Sequence, residues 1–144
     1  MERTDRNIAD YIASLPDDVC GDIRTLDEHI SAAMAGHAKH LYVGKFWGGS
    51  DQKIIGYGTQ TNIRSDKKEV TWFVVGLAVQ KNYLSVYINA VEDRQYLSEK
   101  YGKDLGKVKV GKSSIGFKSV CDIDVDKLVD LVRRARNIAE ESDT

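Results

Sequence analysis

A change in hydrophobic period near residue 39 constrains this chain more than any other feature. Before it, Val19, Ile23, Leu26, Ile30 and Met34 recur at helical spacings, all on one face of an α-helix. After it, Leu41 and Val43 share one side of a strand while His40 and Tyr42 take the other. The helical period returns in Val125, Leu128, Leu131, Val132, Ala135 and Ile138. A chain that runs from helical to extended and back, with tight connections between its strands, predicts an α+β domain.

The local signals place the elements. Thr4 and Asp5 are expected to cap a first helix whose Ile8, Ile12 and Leu15 face one way. Pro16 suits the first turn of a second helix, where Asp17 and Asp18 meet the positive end of the macrodipole and Gly36 is the stop. Strands are expected after Lys39, near Lys53 to Thr59, over Val70 to Val79, and over Leu84 to Ile88 after a turn at Lys81-Asn82. A short helix from Glu92 to Tyr101, a strand around Ile115 to Phe117 and a last helix capped by Asp124 complete the order ααββββαβα. The expectation is one mostly antiparallel five-stranded sheet, with two N-terminal helices, one short inserted helix and a C-terminal helix. It forms a single domain over residues 1–144.

Charge narrows the function classes. Lys and Arg number 21 against 22 Asp and Glu, so no global field draws the chain to nucleic acid or an anionic membrane. The longest apolar run, Trp72 to Val79, is far short of the ~20 residues a membrane span needs. The N-terminus has no apolar signal region, and Cys20 and Cys121 read as reduced thiols, so a cytoplasmic protein is expected. Charge is nevertheless uneven. Residues 1–35 carry eight acids against three bases, and residues 103–118 carry five lysines against one aspartate.

Several motifs carry chemistry. Gly106-Lys107-Val108-Lys109-Val110-Gly111-Lys112-Ser113 matches the phosphate-loop pattern letter for letter. That loop needs a buried strand before it and a helix starting at its lysine. Here Val-Lys-Val favours an extended chain and Ile115 to Phe117 reads as a strand, so a solvated basic β-segment is the better reading. His37 and His40 have no Cys or acid beside them at ligand spacing, which argues against zinc. Asp18, Asp22 and His29 fall within about 40° of one another on the second helix. Asp18 and Asp22, one turn apart, are the candidate ligands for a weakly held hard cation. Phe46, Trp47, Tyr57, Tyr83 and Tyr87, close to glycines, are the candidate lining of a ligand pocket. No acid, base and oxyanion donor assemble into a catalytic set, so a non-enzymatic protein is expected.

Four segments in order resemble the YdhG-like domain family. They are Tyr11 to Pro16, Phe46 to Ser50 with Ile55 to Gly58, Gly76 to Tyr83, and Gly106 to Lys112. The resemblance runs from about Thr4 to Ala135. It implies a small bacterial α+β domain. One branch of the family is described as an intracellular iron chaperone, analogous in role to frataxin. By that resemblance the cargo would be Fe²⁺ and the partners iron-cluster or haem assembly proteins. The first expectation is therefore a protein holding iron weakly on its acidic helix. The alternative is a small-molecule or peptide binding module built on the aromatic and glycine-lined pocket. A third is an interaction domain using the acidic face or the Lys107-Lys109-Lys112-Lys118 strip.

Overall fold

The two hydrophobic periods separate in space. The structure, a computed structural model, describes residues 2–4, 7–46, 50–63, 69–80, 82–111 and 113–142. The chain begins with β1 (Glu2–Thr4), α1 (Ile8–Ala13), α2 (Asp17–Ala33), β2 (Lys39–Phe46) and β3 (Ser50–Tyr57). It continues through β4 (Gln60–Ile63), β5 (Glu69–Trp72), β6 (Val75–Val79), β7 (Leu84–Ile88), β8 (Val91–Glu92) and β9 (Gln95–Tyr96). It ends with α3 (Leu97–Tyr101), β10 (Lys109–Val110), β11 (Ser114–Phe117) and α4 (Val125–Ser142). Single 3-10 turns lie at Gly102–Leu105 and Val120–Asp122.

The class is the expected α+β, and every strand pairing is antiparallel. The sheet is larger than expected: seven strands in the order β1-β2-β3-β6-β7-β11-β10, with β4–β5 and β8–β9 as separate hairpins. Thr4 does not cap a helix; it pairs with Leu41 at the sheet edge, and Asn7 caps α1 by accepting from the Asp10 N–H at 3.1 Å. Pro16 lies just before α2, its carbonyl accepting from Val19 and Cys20. Val70 to Val79 is two strands. Tyr57 opposite Val75 and Gln60 opposite Trp72 keep one register, so β3–β4 and β5–β6 form a single long ribbon bent between them. Asn89 holds the bend, donating its side-chain amide to the Phe73 carbonyl and its backbone N–H to that of Val74, both at 3.0 Å. The helix expected from Glu92 starts only at Leu97. Asp93 (φ 54) and Arg94 (φ 68) form the left-handed turn of the β8–β9 hairpin without the glycine that normally announces one.

One row of side chains explains the core. Leu41, Ile55, Leu77, Val86 and Ile115 face each other strand by strand across the sheet, all buried. On them lie Ile23, Leu26 and Ile30 of α2 and Leu128, Leu131, Val132 and Ala135 of α4. Truncating any one of these leucines or isoleucines to alanine should cost about 2–5 kcal/mol.

The row on the opposite face changes character as it crosses the sheet: Tyr42, Ile54, Ala78, Ser85, Gly116, Lys109. At the β2–β3–β6 end, Phe73 folds over it and joins Tyr42, Ile54 and Ala78 in a second buried cluster. This works because Gly56 and Gly76 leave space. A Cβ on Gly56 would collide with the Tyr42 ring and lie 2.8 Å from the Phe73 Cβ; one on Gly76 would lie 2.7 Å from the Phe73 ring. Across the β7–β11–β10 end the face turns polar and opens.

Candidate functional site

Strand parity builds the site. Ser85 and Tyr87 alternate on β7, Ser114 and Gly116 on β11, and Lys109 stands on β10. The pairs Ser85–Gly116, Tyr87–Ser114 and Lys109–Gly116 put them on the face away from the helices, and Tyr83, Lys107 and Lys118 flank these strands. Together they line a cleft of about 890 Å³, within the size range of small-molecule sites. Among its described lining residues, Asp122 is the one acid against Lys107, Lys109 and Lys118.

The two tyrosines are held differently. Tyr83 is 48% exposed, and its ring rests on bare backbone: a methyl on Gly116 would sit 3.2 Å from its Cδ2. Tyr87 is half-buried, its ring tilted against Phe73 at 6.4 Å and its hydroxyl accepting from the Gln80 side chain at 3.1 Å. Burial raises the Tyr87 phenol above its usual 10.0, and the neighbouring Tyr83 raises it further, while hydrogen bonds with Ser85 and Gln80 pull the other way. At neutral pH Tyr87 therefore keeps its proton and presents a hydroxyl.

The basic wall is pinned from behind. Gly106 bridges to Ile123 with φ +133, a conformation closed to other side chains, and a Cβ there would run into the Asp122 carbonyl. The Lys107 N–H donates to that carbonyl at 3.0 Å, and the Asp124 N–H donates to Leu105 at 2.7 Å. Gly111 donates to the Ser114 carbonyl at 2.8 Å, closing the β10–β11 turn. Lys109 and Val110 of the phosphate-loop match thus form a strand paired with β11, in keeping with the extended preference of Val-Lys-Val, and the strand at Ser114 stands where that loop requires a helix.

The acidic helix is used differently from the expectation. Asp18 is exposed in the first turn of α2. Asp22, one turn on, accepts the Val120 N–H at 3.2 Å and so holds the 3-10 turn that ends in Asp122. Asp27 accepts from the Tyr57 hydroxyl at 2.6 Å and from Lys39 at 3.2 Å. His29 is exposed, and His37 lies 2.9 Å from Glu140 rather than with His40. Among the described residues no group of three or more His, Cys, Asp or Glu is arranged to hold a metal.

The five aromatic candidates do not converge. Tyr83 and Tyr87 share the cleft, whereas Tyr57, with the parity of Ile55, is buried under the helices on the other face. Phe46 ends β2 opposite Ser50; its side chain, and Trp47 altogether, lie outside the described residues. Sequence reasoning treated the tyrosines and the lysine strip as separate candidates. The alternation Lys107-Val108-Lys109-Val110 gave the strand, but only the placement of β11 between β7 and β10 joins the two groups.

No helix among the described residues is long and apolar enough to cross a membrane. Comparison with protein-family models, curated proteins and solved structures finds no match.

Proposed function

We propose that this protein is a non-enzymatic binding module that holds an anionic small molecule in the cleft between Tyr83 and the β10–β11 hairpin. One observation carries the reading: three lysines and an exposed tyrosine ring line one cleft, and only one acid is among its described lining residues. Lysines at a mouth open to water bind anions modestly and reversibly, which suits a carrier or sensor more than a tight cofactor site. The Tyr87 and Ser85 hydroxyls can orient what the charges attract.

Calorimetric titration of inorganic pyrophosphate, citrate and adenosine monophosphate tests the reading. At least one anion should bind, and Lys107→Gln/Lys109→Gln/Lys118→Gln should weaken it by about tenfold or more. Unchanged isotherms in the triple variant, or no heat with any of the three, would overturn it.

The second reading, Fe²⁺ on Asp18 and Asp22, is supported by the resemblance to the YdhG-like family and by the shared α2 face of the two carboxylates. Against it stands the commitment of one Asp22 oxygen to Val120. Titration of Fe²⁺ against wild type and Asp18→Ala separates the readings, since cleft binding does not involve Asp18.

A further inference from the structure

We infer that the cleft is divided into a ring platform and a phosphate rail, and that its ligand is a phosphorylated nucleobase compound, a mononucleotide in the first instance. The inference rests on the anion-binding reading above and specifies its ligand.

The platform is Tyr83. One edge of its ring is packed against Gly116, where the missing side chain lets the ring lie down on the sheet, and 48% of the residue remains open. An aromatic ring supported on one side and wet on the other offers a stacking surface for a flat heterocycle. An aliphatic carboxylate would use the lysines and leave this ring idle.

The rail is Lys107 and Lys109. Lys109 stands on β10 and Lys107 at the bend just before it, and both line the cleft, so two cations are available to a diphosphate. Lys118, just after β11, adds a third charge to the same cleft. The segment is anchored at both ends by the Lys107-to-Asp122 and Gly111-to-Ser114 backbone bonds, so the lysine stems start from fixed positions. Ser85 and, beyond it, Tyr87 follow Tyr83 along β7 and line the same cleft, where their hydroxyls can meet a ribose.

Free nucleotides and single-stranded nucleic acid present this same chemistry. A cleft of about 890 Å³ on a chain of nearly neutral charge favours the free nucleotide, because a strand would draw on a longer basic track.

The test compares four probes on the full chain: inorganic pyrophosphate, adenosine, adenosine diphosphate and an eight-residue oligothymidylate. Adenosine diphosphate should bind more tightly than either pyrophosphate or adenosine. Tyr83→Ala should lower its affinity roughly five- to hundredfold, toward the level of pyrophosphate, and change pyrophosphate binding far less. Equal affinity for pyrophosphate and adenosine diphosphate, insensitive to Tyr83→Ala, would overturn the inference and leave the anion-binding reading standing. Failure of every anion would overturn both. Oligothymidylate binding far tighter than the diphosphate, with a steep salt dependence, would overturn the free nucleotide as the source. A circular dichroism spectrum unchanged in Tyr83→Ala shows that the fold persists, as the exposure of this ring leads one to expect.

Discussion

The Asp22 carboxylate accepts the backbone N–H of Val120 at 3.2 Å, so the second helix holds the turn that carries Asp122 into the cleft wall. An acid that looks like a surface ligand in the sequence is therefore a brace for the binding face. Asp18, four residues earlier, stands in solvent.

This difference predicts unequal effects of two similar substitutions. Asp22→Ala should lose about 1–2 kcal/mol of stability, since a charge-assisted bond in a half-buried setting is removed. It should also weaken anion binding at the cleft, because Lys107 hangs on the same turn through the Asp122 carbonyl. Asp18→Ala should change neither by more than about 0.5 kcal/mol. Urea denaturation of both variants, paired with pyrophosphate titration, checks this.

Glycines give a second contrast. Gly21 lies in mid-helix in α2 with nothing within 4 Å of where a Cβ would stand, so Gly21→Ala should stabilise by about 0.5–1 kcal/mol. Gly56→Ala should destabilise by about 1–3 kcal/mol or more, because the methyl must displace the Tyr42 ring and the backbone-near Cβ of Phe73. Thermal unfolding of the two variants should move in opposite directions.

The pH dependence of stability should show two separate limbs. Burial, then the Asp27 carboxylate, push the Tyr57 phenol well above its usual 10.0. The unfolded chain then releases that proton first, so the stability held below pH 10 declines as pH rises from there toward the folded value. Hydrogen bonds from Lys100, Tyr101 and Arg134 lower Glu92 from 4.5 to about 2, so its contribution is present above pH 4.5 and is lost as pH falls toward 2. Tyr57→Phe should make the alkaline limb shallower and leave the acid limb unchanged, and Glu92→Gln should make the acid limb shallower, in urea midpoints measured across pH.

Most of the framework was legible because burial imposes period on sequence. The stripe of α2, the Asp124 cap of α4 and the alternation of β7 needed nothing but local pattern, and Asp124 indeed accepts the Lys127 N–H at 3.2 Å. What escaped was non-local. The edge strand at Glu2–Thr4 has no pattern of its own and exists because β2 offers it an open side. The bend after Tyr57 is fixed by Asn89, some thirty residues away in sequence. The cleft escaped for the same reason: Tyr83 and Lys109 meet only through a strand that pairs with both of their own. Tyr57 stands apart from the cleft because its parity, shared with Ile55, sends it beneath the helices to Asp27.

The central claim is that anions bind on the uncovered β7–β11–β10 face. Backbone amide shift mapping by NMR during titration with inorganic pyrophosphate tests it most directly. The largest movements should cluster at Tyr83, Ser85, Lys107 to Lys109, Gly116 and Lys118, and should weaken together as salt is raised. Movements centred on Asp18 and the exposed side of α2, or spread without a centre, would contradict it.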